Sequence, residues 1–472
     1  MRECCEDRPV GQWRWIGFAV VGCLLTPWRA GAQPAASGPL SLNDAVQFAL
    51  KNYPAIKESR ARAQAADEGI GVARTAYLPR LDMLWQENRA TTNNVFGLVL
   101  PQSIVPPISG PVLGTRSYDS VWGSAAGVQL SWEALDFGQR KANVEVARAQ
   151  SSFAKAQTDL TALDVAAAAA DAFVTVLAAD EAVRAARANV DRLQVFANNV
   201  RTLVANQLRP GADESRANAE LAIARNQVSQ AVQVADIARA ALADAVGAAG
   251  TTVEPAMGSL ANLPQMPSLS AGDFTSHPAA RAELAVVDTV RARERVLDRS
   301  YFPHIYFQSG FAARDSGAQA PGLPPPGSGL WPQVRNWGAA LQVTFPAFDL
   351  FTVNAHKRVE VQNELAERAR YDLTIQTLTT QDARARALMK AAVDIAQNTP
   401  IERQAATAAE SQARARYGSG LTSVTEVAEA QRLLAQAEAD DAVARLGVWR
   451  ALLAAAQVRG DLTPFLDQVR QP

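Results

Sequence analysis

Few residues in this chain could do covalent or metal chemistry, and their spacing argues against both. The three histidines, His277, His304 and His356, stand far apart with no paired metal-ligand spacing. Cys4, Cys5 and Cys23 all fall within the first 32 residues, so the rest of the chain has no thiolate and no disulfide framework. Gly69-x-Gly71 lies inside a helical run with no strand before it, which removes a nucleotide-binding reading. There is no Walker sequence, nucleophile elbow or triad, and the five methionines are scattered rather than arranged as a soft-metal relay. We therefore expect no enzyme activity, no metal and no cofactor. The remaining charge chemistry gathers beside two turns. One is Tyr417-Gly418-Ser419-Gly420-Leu421-Thr422, followed by Glu426 and Glu429, which share a helical face at i, i+3. The other is Leu208-Arg209-Pro210-Gly211, followed by Asp213 and Glu214. On an alanine-rich helix such acids ordinarily make a solvated face.

The elements that carry these turns are unusually long. Gly138 to Gln207 contains no proline, and no glycine after its first residue. As one helix it would reach roughly 105 Å at 1.5 Å per residue, far beyond the usual length of about 11–12 residues. A second run, Leu350 to Tyr417, matches it; Pro400 inside should bend it without ending it, because the periodic pattern resumes at Ile401. Return helices are expected from Asp213 to Val246 and from Ser423 to about Val458.

Between the helical parts the apolar period changes from 3.6 to 2. Leu81, Met83 and Trp85 alternate with polar residues, and Trp122, Ala126, Val128, Leu130 and Trp132 share one face. Ile305, Phe307 and Phe311 oppose His304, Tyr306 and Gln308; Trp337, Leu341, Val343 and Phe345 line one side of a fourth strand. Long loops follow strands one and three, at 93–117 and 315–333. The whole pattern occurs twice. Tyr53-Pro54 and Tyr77-x-Pro79 recur as His277-Pro278 and Tyr301-x-Pro303, and residues 128–136 align with 341–349 without a gap. Each half reads helix, strand, loop, strand, long helix, turn, helix, which is internal repetition.

Strands of about 10–12 residues with one apolar face fit a tilted bilayer crossing as well as a sheet packed on helices. Export, the long loops and the aromatic strand ends favour the bilayer: Arg8 and Arg14, the apolar run Trp15–Leu25 and Ala30-Gly31-Ala32 read as an export signal. Glu3, Glu6 and Asp7 are unusual there and suggest a downstream start. Cys23 offers an alternative lipoprotein reading, against which the apolar run continues through Leu25. In a bilayer an open sheet edge is not tolerated, and single-chain barrels start at about eight strands, so four-stranded protomers must pool their strands. Two copies give eight strands with an interior filled by side chains; three give twelve and room for a lumen, which a conducting function would favour. The net charge of −1 leaves no basic footprint for nucleic acid.

Taken together, the signal, the Tyr-x-Pro strand starts, Leu135-Asp136-Phe137-Gly138, the duplicated long helices and the Tyr417–Ala430 turn resemble the TolC family of outer-membrane efflux proteins. The resemblance covers residues 40–460. It implies a mainly α protomer, duplicated in tandem, forming as a homotrimer a 12-stranded transmembrane β-barrel and a long α-helical barrel. It implies the outer membrane of a Gram-negative bacterium with a periplasmic extension. The function implied is the passive exit duct of tripartite efflux or type I secretion, coupled through a periplasmic adaptor to an inner-membrane pump. The competing class is a periplasmic coiled-coil adaptor or structural protein that docks onto another channel. The expected segments are a signal at 1–32, helices at 33–77, strand pairs at 78–132 and 303–345, helical hairpins at 133–247 and 346–458, a linker at 248–272, a helix at 273–302 and a tail at 459–472.

By the same resemblance, Glu426 and Glu429 would narrow the periplasmic mouth, and Tyr417 would latch it with Asp213 or Glu214. Thr422 stands where some members carry a latch arginine. Leu208, Arg209, Pro210, Gly211, Gly418, Gly420, Leu421 and Thr422 would form the adaptor-docking tips. Trp85, Trp122, Val128, Leu130, Trp132, Ile305, Phe307, Phe311, Trp337, Leu341, Val343 and Phe345 would face outer-membrane lipid.

Overall fold

The computed structural model describes residues 40–91, 119–265, 272–317, 328–346 and 348–470. The expected signal, Cys23 and most of the two long loops lie outside the described residues. In chain order the elements are α1 (Leu42–Asn52), α2 (Pro54–Thr75), β1 (Arg80–Thr91), β2 (Ser120–Leu135), α3 (Gln139–Ala205) and α4 (Gly211–Ala245). After a short 3-10 helix, Gly258–Ala261, come α5 (Pro278–Arg299), β3 (His304–Ser316), β4 (Val334–Thr344), α6 (Leu350–Gly418), α7 (Val424–Val458) and α8 (Thr463–Arg470).

The strands form one antiparallel sheet in the order β1-β2-β3-β4. Its register sets Met83 opposite Val128, Val128 opposite Phe311, and Phe311 opposite Trp337. Parallel rows join Leu81 to Leu130, Trp132 to Phe307 and Leu341, and Leu135 to Ile305 and Val343. These residues share one face because side chains alternate along a strand. Met83 and Trp337 on it are 78% and 81% exposed. The other face carries Gln86, Gln129, Gln308 and Gln342.

Two strand limits differ from expectation. β2 continues to Leu135 instead of stopping at Trp132, through a register shift between Glu133 and Leu135. β3 takes in Asp315 and Ser316, which loop composition had placed outside it; they pair with Ser124 and Gly123. Phe345 lies one residue past β4, exposed.

Strand passes to helix at Asp136-Phe137-Gly138. Phe137 (φ 50°) and Gly138 (φ 102°) both take left-handed backbone, which turns the chain from sheet to helix within two residues. Asp136 holds the turn: it accepts from the Gly138 N–H at 3.2 Å and from the Arg140 N–H, and pairs with the Arg140 guanidinium at 3.1 Å. Arg140, buried, also donates to the Glu133 carbonyl at 2.6 Å and lies over the Tyr77 ring at 4.8 Å. Tyr77 of the Tyr-x-Pro motif before β1 thus packs under this guanidinium. The second half enters α6 differently: Asp349 is right-handed and its side chain makes no cap.

The core lies at the middle of α3, where Ala166, Ala167, Ala169, Ala170, Phe173 and Val174 are buried with Leu42, Val46, Trp449, Leu452 and Phe465. Alanines allow α3 to approach α1, α5 and α7 closely. The stretch expected as a linker is tied into this belt by a bridge from Leu40 to Pro255 and by the Trp449 Nε1 bond to the Asn262 carbonyl at 2.8 Å. α6 runs unbroken through Pro400.

Removing one partner of the buried Asp136–Arg140 pair leaves an uncompensated charge, which costs about 3–5 kcal/mol. Arg140→Ala should lower the urea midpoint accordingly. Burial raises the Asp136 pKa, but the Arg140 and Gly138 hydrogen bonds and the guanidinium outweigh it and hold the group below its ordinary 3.8. That contribution is complete above pH 3.8 and is lost as pH falls below it. Asp136→Asn should abolish this acid limb in a pH series of urea midpoints.

Candidate gate at the helical tips

The two helix-helix turns far from the sheet have the same backbone design. In the first, the Leu208 N–H bonds to the Leu203 carbonyl and the Gln207 N–H to that of Val204, both at 2.9 Å. In the second, the Leu421 N–H bonds to the Arg416 carbonyl at 2.9 Å and the Gly420 N–H to that of Tyr417 at 3.0 Å. Each closes on a left-handed residue, Gln207 (φ 58°) or Gly420 (φ 76°), as helix C-terminal caps commonly do. Gln207 and Gly420 are therefore equivalent. This supplies a register that the looser sequence match of the first turn left open. Asp213 then corresponds to Glu426, and Arg209 to Thr422.

The equivalence explains the contacts. The Tyr417 hydroxyl donates to Asp213 Oδ2 at 2.9 Å, while Glu214 pairs instead with Arg201 at 3.2 Å. Arg209 places its guanidinium 4.3 Å from the centre of the Tyr417 ring and donates to the Tyr417 carbonyl. Arg209 is thus the residue of the first turn that is equivalent to Thr422 of the second. Sequence reasoning assigned Arg209 to the outer tip; the structure engages it inward on Tyr417. The equivalence of the two turns, visible only in their hydrogen bonds, is the signal that would have found it.

Tyr417 is 3% exposed and packs at 5.7 Å against Phe196, beside Ala413, Val424 and Val427. Burial first, then the hydrogen bond and charge of Asp213, push its pKa up to about 12, against the opposing pull of Arg209. The phenol stays neutral and able to donate at every physiological pH.

The two expected mouth acids differ. Glu426 lies 3.2 Å from Arg416 and also accepts from the Thr422 hydroxyl. Glu429 is exposed and has no ion pair among the described residues. Leu208 and Leu421, equivalent across the repeat, are 68% and 71% exposed; Pro210, Gly211, Gly418 and Gly420 are exposed around them. Above the tip, α7 is tied to the first hairpin by Arg432–Glu220 and Arg192–Glu438, and nearer the core by Arg450–Asp171. Among the described residues no cluster of acids, histidines and cysteines suits a metal ion.

The chain thus combines a four-stranded sheet with one apolar face and two very long helical hairpins joined at their tips. The profile described as Outer membrane efflux protein matches residues 45–248 and 275–460, and the chain belongs to that family. No curated protein sequence matches the chain. Among solved structures, it is similar to CusC, with a TM-score of 0.73 and 15% identity over 89% of this chain and 92% of that one. The outer membrane channel CmeC of Campylobacter jejuni gives 0.69 and 15%, over 91% and 89%. The open state of the MtrE outer membrane channel of Neisseria gonorrhoeae gives 0.69 and 19%, over 89% of each chain. At these identities the likeness is one of fold. The family places the protein in the outer membrane, with its helices on the periplasmic side.

Tyr417→Phe keeps the ring packing and deletes the bond to Asp213. A hydrogen bond to a charged group contributes about 1.5–3 kcal/mol. Amide exchange over residues 413–424 should therefore accelerate at least about tenfold, since 1.4 kcal/mol is a factor of ten. In the unaltered protein the same link should persist to pH 10 and be lost toward 12, because the folded pKa is the higher one. Unchanged exchange in Tyr417→Phe would show that the bond holds nothing.

Proposed function

We propose that three copies of this chain form one channel, the passive exit duct of a tripartite efflux or type I secretion assembly. The observation that carries this is the sheet. Its outer face is apolar from Leu81 to Val343, and β1 and β4 each have one backbone edge with no partner strand among the described residues. In hydrocarbon every backbone N–H and C=O needs a partner, so β1 of one copy pairs with β4 of the next until the ring closes. The twelve residues named above as lipid-facing then form its outer belt. α3, α4, α6 and α7 continue the wall into the periplasm. A rod of 67 residues reaches roughly 100 Å by its rise per residue.

At the far end the Tyr417–Asp213–Arg209 link holds the second hairpin to the first and keeps the mouth narrow. Three copies of Glu429 and Glu426 ring that mouth and attract cations. Leu208 and Leu421, with the glycines and Pro210 around them, present the surface for a periplasmic adaptor, which couples the duct to an inner-membrane pump. Energy comes from that pump.

Planar-bilayer recordings test the reading. Glu429→Gln should reduce cation preference and divalent block clearly, and Glu426→Gln less, because Arg416 already offsets its charge. Asp213→Asn combined with Arg209→Ala should raise the resting conductance. Unchanged selectivity and conductance in all of these would refute the gate.

A further inference from the structure

At the helix before each strand pair the two halves of the chain differ, and the difference is a histidine. Tyr53 precedes α2 and makes no side-chain cap, whereas His277, at the equivalent place before α5, does. Its Nδ1 accepts the Ala279 N–H at 3.1 Å. Its Nε2 lies 3.3 Å from the Gln457 carbonyl in the last turn of α7. One ring nitrogen must accept and the other must donate, which requires the neutral imidazole with its proton on Nε2. The ring is 5% exposed. Gly460, left-handed at φ 79°, closes over it so tightly that a Cβ there would sit 2.7 Å from the ring. The ring also lines a cavity of about 530 Å³, shared with Asp164 of α3, Glu283 of α5 and Arg370 of α6.

A second proton on Nδ1 would set an N–H against the Ala279 N–H, at the positive end of a 22-residue helix. The capped position cannot hold an imidazolium. The cavity can, because it offers room for the ring and the Asp164 carboxylate in its wall. We propose that His277 is a proton-operated clasp at the helical belt. Neutral, it caps α5 and joins it to the end of α7; protonated, it leaves the cap and turns to Asp164.

The surrounding charges agree with this direction. α7 presents only the neutral Gln457 carbonyl to the ring, while Arg459 and Asp461 flank the Gly460 turn. Arg281, near the start of α5, is occupied by Asp159 at 3.3 Å. Burial lowers the His277 pKa below 6.5, opposed by the Gln457 carbonyl and Asp164, and burial raises that of Asp164. A histidine with a depressed native pKa contributes stability that is complete above 6.5 and is lost as pH falls through the lower native value. The clasp therefore opens in mild acid.

Amide exchange of the full chain in lipid nanodiscs, corrected for intrinsic rates, tests this between pH 7.5 and 5. Peptides over 277–284 and 455–461 should lose at least tenfold in protection as pH falls. His277→Asn retains a good capping oxygen that does not titrate, and should keep both peptides protected across the range. Asp164→Asn, which removes the acceptor of the protonated ring, should move the loss to lower pH. As a second measure, imidazole NMR of a His304→Gln/His356→Gln background should show the remaining ring switching from the Nε2–H tautomer to imidazolium over the same interval. Equal acid loss in His277→Asn, or a ring that does not titrate above pH 5, would overturn the proposal.

Discussion

The structure depends on one constraint: a β-strand in hydrocarbon cannot leave its backbone unpaired. Each unsatisfied N–H or C=O there costs several kcal/mol, and four strands present two complete edges. No side chain can compensate at that scale. A four-stranded sheet in hydrocarbon consequently needs partner strands at its edges. The exposure of Trp337, Leu341 and Met83 on one face, unfavourable in water, becomes the stabilising contact in lipid.

The helices follow from the same constraint at one remove. A barrel strand that turns directly into a helix fixes that helix as a continuation of the wall. The junction at Asp136, Gly138 and Arg140 is therefore more densely bonded than an ordinary loop. Along the wall, the alanines of α3 let helices approach side by side. Ion pairs such as Arg450–Asp171 and Arg192–Glu438 hold α7 in register with the first hairpin. At the tip these give way to the link of Tyr417 with Asp213 and Arg209, neutral phenol to carboxylate with a cation above the ring. Because the phenol titrates only at strongly alkaline pH, this link is indifferent to pH in the physiological range. His277, by contrast, sits in the belt with both ring nitrogens committed.

Period and repetition make the elements legible in the sequence. The change from 3.6 to 2 located all four strands, and the lack of proline and glycine after Gly138 located α3 to within a few residues. What escaped was information that two-residue events carry. The shift at Glu133–Leu135 extends β2 without altering composition. The left-handed Gln207 looks like any polar helix residue, yet it sets the register of the first tip and so the pairing of Asp213 and Arg209 with Tyr417. A glycine at that place, as at Gly420, would have revealed the symmetry. Likewise the capping role of His277 escaped, because it depends on a side-chain rotamer and on Gly460, 183 positions later.

Counting the copies in the assembled particle tests the central claim most directly. Native mass spectrometry of the protein extracted from outer membranes should give one species containing three chains and no free single chain. A stable, folded single chain would show that β1 and β4 need no partner strand, and would contradict the account.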